Sequence, residues 1–312
     1  MMNYEIASGL KSLAMTVKSR TKPSNSLMFN RENINGFTLI EMMIAVLLSS
    51  ILVVFIYQFF DYQQKSYNLQ DQLTEMQQNL RVATDALSRD LRITGYGVPS
   101  ATSPSTIIRI TNATENSITF LANRSDVHTE LSSDYASGTV LSVNSSVDFG
   151  IGKTIYITDG AKWSQATISS TATGSLTVTS ALSSTYPAGS TIHVVNTVTY
   201  TIDTTDKELT REIDGGGNDP VCNNLDYLQF KYYDGSNVSI PDPLPSPYTG
   251  VNLLDTTQIR SIGILLVGRT SKTEKGYTSS GNYDTGIPYP SNELNYHRTR
   301  LETDVMLRNL AD

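Results

Sequence analysis

The chain has very little cysteine or histidine. Its 312 residues include one cysteine, Cys222, and three histidines, His128, His193 and His297. A single thiol closes no internal disulfide, so no disulfide framework holds this protein together even in an oxidising compartment. Cys222 reads instead as a small buried residue leading into a strand. The histidines lie far apart in sequence and sit in no HExxH, CxxC, GxSxG or P-loop pattern. A Ser/His/Asp set can be drawn from so many serines and aspartates that it carries no weight. No enzymatic activity, cofactor or metal is therefore expected. The loop Asp214-Gly-Gly-Gly-Asn218-Asp219 offers oxygens suited to calcium but lacks EF-hand spacing, and reads as a flexible turn. Positive charge is also short: 23 Lys and Arg against 30 Asp and Glu give a net charge of −7. That argues against a nucleic-acid partner held by a basic surface.

Proline is absent from Phe37 to Val98, and charge is nearly absent from the first part of that stretch. Residues 37–60 form a 24-residue apolar run whose one ionisable group charged at neutral pH is Glu41. About 20 apolar residues suffice to span a bilayer as a helix. An acid at the centre of such a helix costs roughly 2.5 to 3.5 kcal/mol, less near the membrane edge, and by default marks function. Residues 1–36 carry Lys11, Lys18, Arg20, Lys22 and Arg31 against Glu5 and Glu32. By the positive-inside rule this segment stays cytoplasmic and the rest faces the other side. An ordinary secretory signal has its apolar core before the cleavage site; here a glycine precedes the core.

The residues Gly36-Phe37-Thr38-Leu39-Ile40-Glu41 resemble the class III signal, or prepilin motif, of type IV pilins and type II secretion pseudopilins. The resemblance implies that residues 1–36 are a leader removed by a prepilin peptidase after Gly36. Phe37 would then be the N-methylated terminus and Glu41 the assembly carboxylate. Met15 and Met28 are alternative starts to Met1, Met28 giving a leader closer to the family's usual length. Within the filament, Phe37 would present an amine to Glu41 of a neighbour or of its own chain. Ile44, Leu47, Leu48, Ile51 and Val54 would supply lateral helix packing.

Beyond Phe60, Leu69, Leu73, Met76, Leu80, Ala83 and Leu87 recur in steps of three and four, one apolar stripe on a helix. Gly95 and Gly97 are stop signals, with Arg89 and Arg92 near the negative end of the dipole. A continuous helix from about Thr38 to Ile93 would be roughly 80 Å long. Its second half is either a coiled-coil seam or, as in pilins, a stripe packed on a carboxy-terminal sheet. The preferred reading is the latter, because so short a seam buries little apolar surface by itself.

From Ile107 the pattern changes to short β-branched runs. Strands are expected at residues 107–110, 117–121, 139–143, 154–158, 166–170, 175–179 and 192–202, then at 209–213, 225–233, 259–267 and about 300–308. The fold class is α+β: a long amino-terminal helix on a mostly antiparallel, pilin-like head. The expected parts are the leader 1–36, a transmembrane helix 37–60, an amphipathic helix 61–95 and a periplasmic head 96–312. Residues 139–195 are a candidate inserted β-subdomain. Pro241, Pro243, Pro245 and Pro247 exclude a central strand there. Residues 270–298 read as a long surface loop, in which Tyr277, Tyr283, Tyr289 and Tyr296 either form a binding surface or pack back on the sheet.

The runs Leu225 to Gly235, Ile259 to Val267 and Arg300 to Asn309 are similar to the carboxy-terminal pattern of the PilW minor pilins, and also to J-type minor pseudopilins. The resemblance departs in one respect, since the membrane helix lacks the proline kink of many major pilins. It implies a minor pilin in a tip or priming complex for pilus assembly and twitching motility. The partners would be other minor pilins, the major pilin, the prepilin peptidase and an inner-membrane assembly platform. Before assembly the chain would cross the inner membrane once with a periplasmic head; afterwards it would sit in the pilus, at its tip. The alternatives are a J-type pseudopilin and, in another class, a membrane-anchored adhesin.

Overall fold

A computed structural model of the chain describes residues 36–240, 256–284 and 286–310. The proline cluster Pro241 to Pro247, and the expected leader up to Asn35, lie outside the described residues. The chain forms two compact units, Met1–Asp61 and Tyr62–Asp312. A single helix, α1 (Leu39–Arg92), contributes to both. It starts with an acid, Glu41, in its first turn and ends with Arg89 and Arg92 in its last, each on the side the helix dipole favours. Just past its end, Gly95 and Gly97 both have positive φ, 79° and 73°, as chain reversal at a helix terminus requires.

In the first unit every residue from Gly36 to Asp61 is exposed. The helix there is apolar all round, the pattern of a segment whose surroundings are lipid or other apolar helices rather than water.

In the second unit, α1 buries Met76, Leu80, Ala83, Leu87 and Leu91 on one side. Leu69 and Leu73, at the start of the stripe, are half-buried. The buried stripe joins a core built with two antiparallel sheets. It is therefore a docked face and not a free coiled-coil seam. Ala86, Asp90 and Leu91 belong to the buried face too, although the three-and-four spacing stopped at Leu87.

The first sheet contains β1 (Ile110–Ala113) and β2 (Ser117–Ala122). After β2 the chain leaves for a separate sheet of β3 (His128–Glu130), β4 (Val140–Ser142), β5 (Thr154–Thr158), β6 (Trp163–Ala172), β7 (Ser175–Val178) and β8 (Thr191–Val194). It returns as β9 (Asn196–Asp203), followed by β10 (Glu208–Ile213) and β11 (Asn218–Asn223). The strand order is β1-β2-β9-β10-β11. β2 and β9 are direct neighbours, from Ser117 opposite Thr201 to Ala122 opposite Asn196. Everything between Asn123 and Val195 thus leaves and re-enters the sheet at adjacent positions.

The six strands run in the order β3-β8-β5-β6-β7-β4, and the two outer ones meet. Leu131 bridges Val143, Ser132 N–H donates to Ser142 O at 2.9 Å and Asn144 N–H to Glu130 O at 3.0 Å. The result is a small closed barrel, filled by Leu131, Leu141, Ile155, Ile168, Leu176 and Ile192 among others. Closure removes the unpaired edges that would otherwise template aggregation. The barrel strands begin at His128, earlier than the expected Thr139. The expected single strand 192–202 is broken at Val195 because its two parts belong to different sheets.

The second head sheet holds β12 (Leu225–Tyr233), β13 (Ser239–Ile240), β14 (Ser261–Arg269) and, after the hairpin β15 (Asn282–Asp284) and β16 (Ile287–Pro288), β17 (Arg298–Met306). Its order is β13-β12-β14-β17. Ile262, Ile264 and Leu266 share the core with α1. Leu265 and Val267, on the other face of β14, pack with Tyr283, Tyr227, Ile287 and Tyr289. Covering both faces explains the unbroken Ile-Leu-Leu-Val run in β14. Gly268 sits tightly against α1: a Cβ there would lie 3.1 Å from both Leu80 and Met76.

The segment expected to be a loop, 270–298, is therefore a cover held by charge as well as by apolar contact. Asp226 has a buried carboxylate whose Oδ2 accepts from Tyr283 Oη at 2.7 Å and Arg298 Nε at 2.6 Å. Lys207 and Arg269 lie 3.4 and 3.7 Å from Oδ1. Burial alone would push this carboxyl up, but the Tyr283 and Arg298 hydrogen bonds and the charges of Arg298 and Lys207 outweigh it and hold it below its ordinary value.

Two stability predictions follow from this packing. Leu87→Ala, at a fully buried position, should cost about 2 to 5 kcal/mol, whereas Val82→Ala on the exposed side of the same helix should stay within about 0.5 kcal/mol. Denaturant unfolding of the full chain in detergent micelles measures both; equal effects would contradict a docked stripe. Asp226→Asn leaves Arg298 without its buried counter-charge and should cost about 3 to 5 kcal/mol. Because the Asp226 pKa is lowered on folding, its contribution is complete above the ordinary carboxylate value near 4 and is lost as pH falls through the lowered one. The Asp226→Asn variant should therefore lose less stability in acid than the parent chain does, the remaining loss coming from other carboxylates lowered on folding, such as Asp214.

Candidate functional site

The start of α1 is built from a reciprocal pair. Thr38 Oγ1 accepts from the Glu41 N–H at 3.3 Å. Glu41 Oε2 accepts from the Thr38 N–H at 2.9 Å and from Thr38 Oγ1 at 2.9 Å. The first helical bond, Met42 N–H to Thr38 O, closes at 3.2 Å. This is a capping box, in which a Thr at the cap and a Glu three residues later satisfy each other's backbone donors. Thr38 was part of the motif but had no role in the sequence reading. The Thr-x-x-Glu spacing before an apolar run was the signal that could have found it.

The arrangement has two chemical consequences. Both Thr38 hydrogen bonds to the Glu41 carboxylate fall on Oε2, which leaves Oε1 as a further acceptor. Both members of the box also lie after Gly36-Phe37, so cutting that bond would leave the cap intact. Gly36 and Phe37 precede the helix, and Phe37 is 86% exposed. A Cβ built on Gly36 meets nothing within 4 Å. Among the described residues, then, nothing in the fold requires glycine at 36. Ile44, Leu47, Leu48, Ile51 and Val54 are all exposed, and their spacing places them along one side of the helix. The helix is long and apolar enough to cross a membrane.

Other sequence candidates are drawn into the fold. Tyr283 stacks on Tyr227 with centroids 4.9 Å apart, and Tyr289 meets Tyr283 edge-on. Tyr289 and Tyr296 lie over the guanidinium groups of Arg298 and Arg269 at 4.5 and 4.4 Å. Tyr277 stacks on His297 at 3.7 Å, and His297 Nε2 pairs with Glu274. These tyrosines hold the cover in place instead of presenting a free surface. Asp214 opens a tight hairpin between β10 and β11. Its oxygens accept from Lys153 Nζ at 3.0 Å, Asn196 Nδ2 at 2.8 Å and Thr197 N–H at 2.9 Å. Those donors take up both oxygens of the Asp214 carboxylate. Among the described residues no group of three or more His, Cys, Asp or Glu could hold a metal. Burial pushes the Cys222 thiol up to about 11, so it is a thiol and not a thiolate at neutral pH. His128 and His193, far apart in sequence, are brought into contact.

Residues 31–57 match the model of the prokaryotic N-terminal methylation motif. No curated protein matches the chain. Among solved structures the chain is similar to a type IV-like pilin from Thermus thermophilus, at 11% identity and a TM-score of 0.35, over 75% of this chain and 96% of that one.

Replacing Thr38 by Ala removes both side-chain bonds of the cap and should weaken the first turn by about 1 kcal/mol. Amide exchange of Glu41 and Met42 in the micelle-bound chain should quicken several-fold, while Met76 to Leu91 stay unchanged.

Proposed function

We propose that the chain is a minor pilin that takes part in type IV pilus assembly, processed after Gly36 and joined to other pilins through the first half of α1. The observation that supports this most strongly is the coincidence of the methylation motif with a helix start that is wholly uncovered and capped by its own carboxylate.

The chemistry runs as follows. Cleavage after Gly36 gives Phe37 a cationic amine at a helix amino terminus, where the macrodipole already concentrates positive charge. Glu41 compensates from the first turn. Thr38 keeps Oε2, and Oε1 receives the amine of Phe37 from a neighbouring subunit or from the same one. At about 4 Å and an effective dielectric near 20 the attraction is on the order of 4 kcal/mol, much of it offset by desolvation. The pair therefore acts as a register selector: a slipped subunit leaves a charge buried without its partner. Ile44, Leu47, Leu48, Ile51 and Val54 provide the apolar packing that holds helix to helix. The head stays on the far side of the inner membrane until the subunit is extracted. Its partners are other minor pilins at the tip, the major pilin, the prepilin peptidase and the assembly platform.

A second reading, a J-type pseudopilin of type II secretion, uses the same helix chemistry and rests on the similarity of the β12, β14 and β17 runs to both families. The adhesin reading depended on the tyrosine-rich segment, whose rings pack against the sheet and neighbouring cations.

Glu41→Ala should insert in the membrane and be cleaved, yet fall at least about tenfold in the sheared filament fraction, read by immunoblot against the membrane fraction. Incorporation at the parent level would contradict the proposal. Deleting the gene should abolish pili and leave protein secretion intact; the reverse outcome favours the pseudopilin.

A further inference from the structure

The strands by which the chain enters and leaves the barrel carry two of the three histidines. His128 on β3 and His193 on β8 are direct register partners. Their rings stack with centroids 5.3 Å apart and 21° between planes. The same row continues to Tyr156 on β5, opposite His193. This row meets the segment that follows α1. The Tyr96 ring touches His193 edge-on at 6.0 Å. At Gly97 a Cβ would lie 2.7 Å from Asn123 Cβ and 3.0 Å from His193 Nδ1. The seat is tight enough to admit only glycine there.

Hydrogen bonding fixes the protonation state within the seat. Asn123 Nδ2 donates to Val127 O at 3.0 Å and lies 3.2 Å from His193 Nδ1. With Asn123 in this orientation Nδ1 faces a donor and accepts, which places the proton of neutral His193 on Nε2. Turning the amide to offer Oδ1 would forfeit the bond to Val127 O, and Asn123 is buried. The titratable groups facing His193 are His128 and Asp126 from the barrel entry, Tyr96 from the post-helix segment and Tyr156 from β5. Asp126 is the anion among them. It accepts from Tyr96 Oη at 2.6 Å and lies 3.4 Å from His128 Nδ1.

We propose that this histidine pair makes the seat of the barrel acid-sensitive. A proton on His193 Nδ1 sets donor against donor at Asn123, so the base of the barrel loosens from the segment after α1. Burial, and then the charge of His128, hold His193 below its ordinary value, against the opposing pull of Asp126. For a base lowered on folding, the stabilising contribution is present above the unfolded value near 6.5 and is lost as pH falls through the lowered one.

The test uses the full chain in detergent micelles. Three histidines give three imidazole Cε1–H signals, which NMR follows from pH 8 to 4.5 with His→Gln variants as assignments. In parallel, amide exchange is read at Gly95 and Asn123, whose N–H groups bond Leu121 O and Tyr96 O across the seat, at pH 7.5 and 5.0 after normalisation to unstructured rates. His193 should titrate below the ordinary histidine range, and acid should raise seat opening by up to about tenfold per unit of lowering. His128→Gln, a change at an exposed position, should raise the His193 midpoint and shrink the acid effect; His193→Gln should abolish it. A His193 midpoint at or above the ordinary value would overturn the proposal. So would an acid effect unchanged in His128→Gln, which decides the matter even if His193→Gln fails to fold.

Discussion

The head depends on how the second half of α1 is buried, and at the end of that stripe sits a charge. Asp90 is 1% exposed and accepts from Tyr200 Oη at 2.8 Å and Arg124 Nε at 3.2 Å, with Arg211 at 3.6 Å. Tyr200 lies on β9, Arg211 on β10 and Arg124 at the barrel entry. One carboxylate on the helix therefore ties three separate pieces of the head to a single position. Burial and then the neighbouring Asp90 push the Tyr200 hydroxyl well above the ordinary phenol range, so it remains a donor. The apolar stripe supplies most of the free energy of docking, and Asp90 fixes where along its length docking occurs: slippage would leave a buried charge without partners.

The same helix meets the opposite constraint at its other end. From Gly36 to Asp61 nothing is buried, and stability there comes from backbone hydrogen bonds, the Thr38–Glu41 cap and surroundings that the chain does not itself supply. Met76, Leu80, Ala83, Leu87 and Leu91 are buried by the rest of the second unit, whereas residues 36–61 are exposed. The barrel adds bulk to the head without disturbing that plan, since it enters and leaves through adjacent strands and has its own core.

Much of the architecture was legible because it rests on local periodicity. The three-and-four spacing from Leu69 to Leu87 located the docked stripe, and β5 and β12 fell where β-branched runs placed them. What was missed depends on contacts distant in sequence. Asp90 has no local signal that marks it as buried, since nothing near it in sequence announces Tyr200 or Arg124. The barrel entry at His128 is three residues long and has no pattern of its own. Tyr283 was expected either in a binding surface or packed back on the sheet, and it packs on β14; its pairing, with Arg298, to Asp226 has no local signal. The helix start was legible through its motif, yet the resemblance gives roles to Gly36, Phe37 and Glu41 and none to Thr38, the partner of Glu41 in the cap.

The central claim is that Gly36-Phe37 is a processing site and Glu41 an assembly carboxylate. Mass spectrometry of the amino terminus of the protein recovered from membranes and from sheared filaments tests it most directly. The account predicts a chain beginning at N-methylated Phe37 in both fractions. A chain that retains residues upstream of Gly36 in the filament fraction would contradict it.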